Sequence, residues 1–371
     1  MSKIDPIAIS KSVIGDAPTD KLERAREFLN SLQELRGLEK LQSTYIDGVG
    51  KAVEYNKHNK VYYDFRFDGT VTGRLSCAAY SARENMGVSF HTLPRTKDPN
   101  IRSLFVAPKD HYFIAADYSA MELRILAHAC RDKNLINAFF SGQDLHKYTA
   151  SLIWKKPIDQ ITPEERQIAK SVSFLIVYGG SEFKLSKTVN IEIDEAKKII
   201  DTYASVYPGV FTWMNEVKEF INKNKYAKSI FGRRRNLDNI KSPIPKIRSR
   251  CERQGVNFII QSSASEITTF ALLDMAMEFK KQGMESRVVA SVHDSIEVIS
   301  PKDEIDEALM ILNHKMTQYP YLRQAMGFDC VVPLAIEVEV GSSFGGGVDV
   351  KFNKSGGVSN LREVKNAIGQ S

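Results

Sequence analysis

One stretch constrains this chain more than any other, Phe113-Ile-Ala-Ala-Asp-Tyr-Ser-Ala-Met-Glu-Leu-Arg-Ile-Leu126. The apolar run Phe113 to Ala116 predicts a buried strand that ends on a carboxylate, Asp117. Directly after it, Ser119-x-x-Glu122 reads as a capping box opening an amphipathic helix through Leu123, Leu126 and Ala127. A counterpart lies far downstream in Val288-Val-Ala-Ser-Val-His-Asp-Ser-Ile-Glu-Val-Ile299, which reads as a hairpin-like strand pair with His293 and Asp294 at its bend. Two carboxylates on separate strand ends suit a two-metal phosphoryl-transfer site, whose cations sit about 3.5–4 Å apart and activate the attacking and leaving oxygens. Taken singly, each acid reads equally well as an ordinary strand-end or turn residue.

The rest of the chain bears on that choice. Its 371 residues suffice for two or three subdomains around a sizeable core, and 43% hydrophobic with 26% charged residues describes a soluble globular protein. No apolar run reaches bilayer length, and the first residues are not a secretory signal, so no membrane partner is expected. Cys77, Cys130, Cys251 and Cys330 show no C-x-x-C spacing; neither a zinc site nor a disulfide framework is implied, and a reducing, cytoplasmic compartment fits. Net charge is only +6, but from Lys223 to Arg253 eleven Lys and Arg face two acids, Asp238 and Glu252. A stripe of one sign is the footprint expected for a phosphate backbone.

Residues 1–18 carry no sustained periodicity and read as a poorly ordered arm. Leu22, Ala25, Phe28, Leu29, Leu32 and Leu35 predict a helix from Thr19 that ends at Gly37, with a second short helix over 38–52. Val61 to Phe67 alternates and runs into Asp68-Gly69, predicting a strand pair. A mostly helical block over about 140–282 separates the two acidic strands, an α+β arrangement with a small antiparallel core.

That block holds a second constellation. Arg166, Lys170, Phe174 and Tyr178 recur every four residues and form one stripe along a helix, with Gly179-Gly180 as its stop and hinge. Two cations followed by two aromatics can grip a nucleoside triphosphate, phosphates on the charges and base and sugar on the rings. The same pattern also fits a half-buried helix with aromatics in the core and charges in solvent.

Together these stretches resemble the family A DNA polymerases, of the bacterial polymerase I and phage replicative type. Asp117-Tyr-Ser-Ala-Met-Glu-Leu-Arg124 resembles the first catalytic motif, Arg166-x3-Lys170-x3-Phe174-x3-Tyr178-Gly179 the nucleotide-binding finger helix, and Val292-His-Asp-Ser295 the last catalytic motif. Ser43-Thr-Tyr-Ile-Asp47, Thr72-Gly-Arg-Leu-Ser76, Asp144-Leu-His146, Phe231-Gly-Arg-Arg-Arg235 and Asn257-x3-Gln261 follow in the family's order, and the likeness runs from about residue 35 to 345.

The resemblance implies a right-hand fold, an antiparallel palm with a helical fingers insertion and a truncated thumb. The expected parts are an arm and thumb remnant over 1–66, palm over 67–141 and 247–349, fingers over 142–246, and a flexible tail over 350–371. It further implies that Asp117, Asp294 and the Tyr118 carbonyl hold two Mg²⁺, and that Lys170 and Arg166 bind the triphosphate with His146 as another phosphate contact. Phe174 would face sugar and base and disfavour dideoxynucleotides, Tyr178 would occupy the templating position, and Glu122 would be the steric gate against a 2′-OH. Arg74, Asn257, Gln261 and His293 would read the minor groove and primer end, with Arg233, Arg234, Arg235 and Arg253 near the DNA backbone. The implied partners are primer-template DNA, dNTPs, and a separate thumb and exonuclease chain or processivity factor, since about 66 residues before the palm leave no room for a proofreading domain.

Several positions depart from the family's pattern. Ala120 stands for a common Gln, Leu175 for a common Gly, and Ser295 for the acid that often follows the catalytic Asp; Ser262-Ser263 in place of Gly-Thr leans toward the phage branch. Cys77 to Thr92 is longer than the usual link and has no assigned role. A single-subunit RNA polymerase shares the Lys, Tyr-Gly and His-Asp-Ser features, but Glu122, Phe174 and Thr72-Gly-Arg-Leu-Ser76 argue against it. Intact Asp117, Asp294, Lys170 and Arg166 argue against a non-catalytic primer-template binding subunit.

Overall fold

The computed structural model describes residues 19–56, 59–79, 88–94 and 100–369. The arm expected over 1–18 and the middle of the long link after Cys77 lie outside the described residues. The chain divides into two compact units, 1–66 with 77–101, and 67–76 with 102–371.

In the first unit, α1 (Thr19–Lys40) runs through a wide turn at Leu41–Ile46 into α2 (Asp47–Asn56). Gly37 therefore does not end the helix. It faces open space, where a mid-helix glycine costs only about 1 kcal/mol relative to alanine and leaves the hydrogen-bond ladder intact. A short hairpin follows, β1 (Tyr63–Arg66) against β2 (Ser76–Ala79), as the alternation predicts. The unit's core is small: Tyr45, Ala52, Val88, Phe90 and Leu93 are buried, and the Tyr45 hydroxyl donates to the Thr92 carbonyl.

The second unit is built on β3 (His111–Tyr118), the central strand of an antiparallel sheet. Between β3 and its downstream partners lies a helical insertion: α3 (Met121–Cys130), α4 (Lys133–Phe140), α5 (Leu145–Trp154), α6 (Pro163–Val177), α7 (Glu182–Val189), α8 (Ile193–Val206) and α9 (Pro208–Asn224). A basic hairpin, β4 (Tyr226–Lys228) with β5 (Arg234–Asn236), leads into the long α10 (Pro245–Lys281). The chain then returns to the sheet through β6 (Arg287–Val292) and β7 (Ser295–Pro301), α11 (Ile305–Gln318) and α12 (Pro320–Met326), and β8 (Ile336–Gly341) and β9 (Val348–Val350). The strand order is β6-β7-β3-β8-β9. Ile114, Ala116, Ile296, Val298, Val338 and Val340 are buried, with α10 packed on β6 and β7 and α11 on β7 and β8. The fold class is thus the expected α+β, with strands brought together from both ends of a helical insertion.

The stretch from 350, expected to be a flexible tail, is folded as far as residue 369. Phe352 bridges Val358, the Asn353 side chain accepts the Ser355 and Gly357 N–H groups, and α13 (Leu361–Gly369) packs on β8 and β9. Val364 is fully buried and Lys365 pairs with Asp306 at 2.9 Å. Of the glycines that suggested mobility, Gly345 and Gly356 take positive φ in turns.

Candidate active site

The sheet brings the two acids to one end. Asp117 lies opposite Ser295 on β7 and opposite Glu337 on β8, and the Tyr118 N–H donates to the Asp294 carbonyl at 3.3 Å. The turn between β6 and β7 holds His293 at φ 62°, the left-handed conformation that tight hairpins require and that histidine adopts more readily than most residues. A serine hydroxyl fastens this turn: Ser291 Oγ donates to the Ser295 carbonyl at 2.9 Å, while Ser295 Oγ has two acceptors in reach of its one proton, the Val292 carbonyl at 3.0 Å and Glu297 Oε1 at 2.5 Å. The Tyr118 ring points to the core, where its hydroxyl donates to Met316 O at 2.9 Å; burial pushes that phenol well above its ordinary pKa.

Arg74 ties this end of the sheet to the helices. Its Nη2 lies 3.0 Å from Glu122 Oε1 and 3.2 Å from Asp294 Oδ1. The segment carrying it is itself held, since Thr70 Oγ1 donates to the Arg74 carbonyl at 2.8 Å and Ser265 Oγ to the Gly73 carbonyl at 3.0 Å. Gly73 has φ +74°, and a Cβ there would come within 2.6 Å of the Arg233 guanidinium. At this φ an L side chain would be strained, which favours glycine.

Glu122 does not form the expected capping box. Helix α3 starts after Ala120, which takes a left-handed conformation at φ 52°, and no side chain caps it. The Ser119 N–H instead pairs with the Ala335 carbonyl. Glu122 is 6% exposed, and its Oε1 accepts from Arg74 and, at 3.2 Å, from the Tyr178 hydroxyl. A guanidinium and a phenol are better partners for a carboxylate than one more backbone N–H. Burial raises the Glu122 pKa, against the pull of Arg74 and Tyr178. Burial, then the Glu122 charge, raises the Tyr178 pKa, with Gln261 of α10 pulling the other way.

The four-residue stripe lies on α6 as predicted, with Tyr178 as its C-terminal cap residue; Thr162 and Glu165 form a capping box at the start. Arg166 is clamped by Asp144 through Nε at 3.1 Å and Nη2 at 2.7 Å. Asp144 also caps α5 by accepting the Lys147 N–H at 2.8 Å. Burial opposes its ionisation, but Arg166 and that N–H outweigh it and hold the carboxyl below its usual range. Lys170 makes no ion pair among the described residues. His146 on α5 is 9% exposed, its ring centroid 6.2 Å from that of Phe174, and its Nδ1 has no hydrogen-bond partner. Burial pushes His146 down to about 4, with Asp144 pulling the other way and Lys170 and Arg166 adding to the drop.

Gly179 ends α6 at φ +62°, and a Cβ there would meet the Arg253 side chain of α10 at 2.6 Å. Arg253, Asn257 and Gln261 fall on one face of α10. Asn257 Oδ1 is buried without a hydrogen-bond partner. On the basic hairpin, Arg233 lies 3.6 Å from Glu266, Arg234 stacks on Tyr226 at 4.7 Å, and Arg235 is half-buried with its pKa lowered by that burial. The structure therefore joins Asp117, Asp294, Arg74, Glu122 and Tyr178 through strand pairing and hydrogen bonds, with Gln261 near enough to Tyr178 to influence its pKa. Arg166, Lys170, Phe174 and His146 form a second group along α6 and α5, while Arg234 and Arg235 are held within their own hairpin.

A family model described as DNA polymerase family A matches residues 12–346. The chain belongs to DNA polymerase family A. Among its relatives is a DNA polymerase I of Borreliella burgdorferi, 34% identical over 326 residues that cover 88% of this chain and 34% of that protein. Another, the DNA polymerase I of Bacillus caldotenax, is 35% identical over 327 residues, 88% of this chain and 36% of that protein. The chain thus spans about a third of the length of these curated relatives. The fold is similar to that of the POL domain of Pol1 from M. smegmatis, solved in complex with DNA primer-template and dNTP, with TM-score 0.79 and 28% identity over 92% of this chain and 61% of that one.

Two features of this family A site were missed in the sequence. One is the Asp144 clamp on Arg166, for which the only cue was an acid two residues before His146. The other is Ser265, whose hydroxyl fixes the Gly73 carbonyl from a helix remote in sequence and which carries no cue at all.

Proposed function

We propose that the chain is a DNA-templated DNA polymerase that extends a primer with dNTPs by two-metal phosphoryl transfer. The observation that carries this reading is the hydrogen-bonded line from Asp294 through Arg74 and Glu122 to Tyr178, which links the paired acids to the end of the nucleotide-gripping helix.

Polymerases of family A generally use divalent metal ions. Among the described residues no group of three or more His, Cys, Asp or Glu side chains could hold one. The donors that fit are the Asp117 and Asp294 carboxylates with the Tyr118 carbonyl, hard oxygens suited to Mg²⁺. The Asp294 carboxylate already receives a cationic group, Arg74 Nη2 at 3.2 and 3.5 Å from its two oxygens. Two Mg²⁺ ions held there would supply activation of the primer hydroxyl and neutralise charge on the leaving pyrophosphate.

The chain's own residues do the rest. Lys170 receives the triphosphate as a point charge, and Arg166 turns its free guanidinium edge to the same phosphates while Asp144 keeps it oriented. His146, neutral at pH 7, offers an N–H rather than a charge. Phe174 packs on sugar and base, and buried Glu122 fills the space a 2′-OH would need. Arg74, Asn257, Gln261 and His293 meet the minor groove, whose acceptors are nearly alike for every base pair. Arg233, Arg234, Arg235 and Arg253 bind backbone phosphates. A separate thumb and exonuclease chain or processivity factor is a further proposed partner, and the bacterial or phage-infected host cytoplasm the proposed location; no described helix is long and apolar enough to cross a membrane.

Primer extension with Mg²⁺, comparing dNTPs with rNTPs, tests this reading. Asp117→Asn and Asp294→Asn should each abolish addition while primer-template binding persists, because Lys and Arg contacts to phosphate supply most of that affinity. Residual addition above roughly a tenth of wild type in either variant would sink the two-metal assignment.

A further inference from the structure

Glu297 is a carboxylate in the middle of β7 with 0% exposure. Strand register decides which way it faces. Asp117 pairs with Ser295 and Ala115 with Glu297, so Asp117, Ser295 and Glu297 share one face of the sheet, opposite the core face of Ala116, Ile296 and Val298. Glu337 lies opposite Asp117 on this face as well, but it is exposed, where water and salt screen its charge. Burying a carboxylate costs several kcal/mol unless it is held by donors. One donor is the Ser295 hydroxyl, 2.5 Å from Glu297 Oε1. Ser295 directly follows Asp294, so a buried acidic side chain is bonded to the residue next to a proposed metal ligand.

The geometry has a further consequence. A serine Oγ stands where the Cγ of a longer side chain would stand, and in a glutamate the step from Cγ to a carboxylate oxygen is roughly 2.4 Å. The Ser295 Oγ to Glu297 Oε1 separation of 2.5 Å is nearly that length. A hydroxyl on one residue and a carboxylate two positions along the same strand face together span the shape of one acidic side chain at position 295.

We propose that Ser295 and Glu297 act as a non-covalent substitute for an acid next to Asp294, and that Glu297, through the Ser295 hydroxyl, strengthens divalent-cation binding by Asp117 and Asp294. Glu297 is a positioning residue: its burial keeps it from the cation, and it acts by adding negative potential and by fixing the turn that carries Asp294. The inference rests on the reading of the acid pair as a metal site.

Manganese titration of the full chain, with free Mn²⁺ read by electron paramagnetic resonance, tests both steps without any turnover. Glu297→Gln keeps the shape and removes the charge, and should weaken Mn²⁺ binding about 10-fold, as changes behind a metal ligand typically do. Ser295→Ala should weaken it by a similar factor, and combining the two should add little, since they act as one unit. The decisive variant moves the charge: Ser295→Glu with Glu297→Gln should recover affinity to within about threefold of wild type, which a merely structural role for Glu297 would not produce. Should Glu297→Gln fail to fold by circular dichroism, Ser295→Ala, which removes one hydroxyl, carries the same comparison. Mn²⁺ binding that is lost in Asp294→Asn yet unchanged in Glu297→Gln or Ser295→Ala overturns this inference alone, as does failure of the charge-moved variant to recover. Mn²⁺ binding that Asp294→Asn leaves intact overturns the metal reading and this inference with it.

Discussion

Arg74→Ala separates two roles of one guanidinium by moving two observables in opposite directions. Arg74 Nη2 lies 3.0 Å from Glu122 and 3.2 Å from Asp294, with side-chain exposures of 22%, 6% and 21% respectively. At an effective dielectric of about 20, each contact is worth about 5 kcal/mol of gross attraction, and stranding a buried partner usually costs about 3–5 kcal/mol. Two factors reduce that here. Asp294 and Arg74 are partly wet, so their pair counts for less. Glu122, whose pKa burial already raises, can take up a proton instead of remaining a bare charge. The expected loss is about 2–3 kcal/mol at pH 8. Without Arg74 the folded-state pKa of Glu122 rises further above its unfolded value. The folded variant then holds a proton that the unfolded chain releases, so the deficit shrinks as pH falls toward that of a free glutamate. Urea unfolding at pH 8 and pH 5.5 reads this difference. The second observable is metal binding: removing a guanidinium from Asp294 frees its oxygens, so the DNA-free variant should bind Mn²⁺ about 10-fold more tightly, a gain of about 1.4 kcal/mol. A variant that is destabilised but binds Mn²⁺ no better than wild type would refute the view that Arg74 competes with metal for Asp294.

Glu122→Ala should raise rNTP relative to dNTP incorporation in single-nucleotide assays; an unchanged ratio in a folded variant would limit Glu122 to holding Arg74 and Tyr178. Gly179→Ala puts a Cβ at φ +62° and within 2.6 Å of Arg253. It should lower stability by about 1–2 kcal/mol, read as a fall in Tm, and Arg253→Ala in the same background should recover part of it. His128 accepts the Val331 N–H at Nδ1, and burial, then Arg131, pushes its pKa down to about 4 from 6.5. Between these values the unfolded chain binds the proton and the folded chain does not. This contribution is therefore present at pH 7 and lost as pH falls toward 4. His128→Gln should flatten that part of the stability profile, and a slope as steep as wild type would show that other groups set it.

What could be read in advance was whatever local period encodes. The apolar run before Asp117 and the alternation around His293-Asp294 specify strands and their faces, and a repeat of four from Arg166 to Tyr178 specifies one stripe on α6. Pairing the strands then followed from burying both apolar runs in one sheet. Signals that depend on partners were misread. Ser119-x-x-Glu122 has the letters of a capping box, but the left-handed Ala120 and the reach of Arg74 and Tyr178 give the carboxylate other partners. Gly37 looks like a stop only if the surrounding helix has no means to absorb it. The glycines beyond Gly345 look mobile only if Val364 is not seen to be buried.

The least legible feature is also the one that makes the site a unit. Asp294, Arg74, Glu122, Tyr178 and Gln261 come from a hairpin turn, an irregular loop, a helix start, a helix end and the middle of α10, and no periodicity relates them. The links from Asp294 through Arg74 and Glu122 to Tyr178 are hydrogen bonds of 3.0 to 3.2 Å, and three of the five groups carry charge, so breaking one link changes the electrostatic balance of its neighbours. Tyr178 immediately precedes Gly179, so a rotation of α6 about the Gly179-Gly180 pair would carry the phenol away from Glu122. That leaves Glu122 with Arg74 as its remaining described partner and strengthens its hold on the guanidinium. Asp294, which shares that guanidinium, is then more available to a cation. On the proposed function, nucleotide grip on α6 and cation capture on the sheet would be coupled through a single arginine, a coupling that exists only in the folded arrangement and is written in no one segment of the chain.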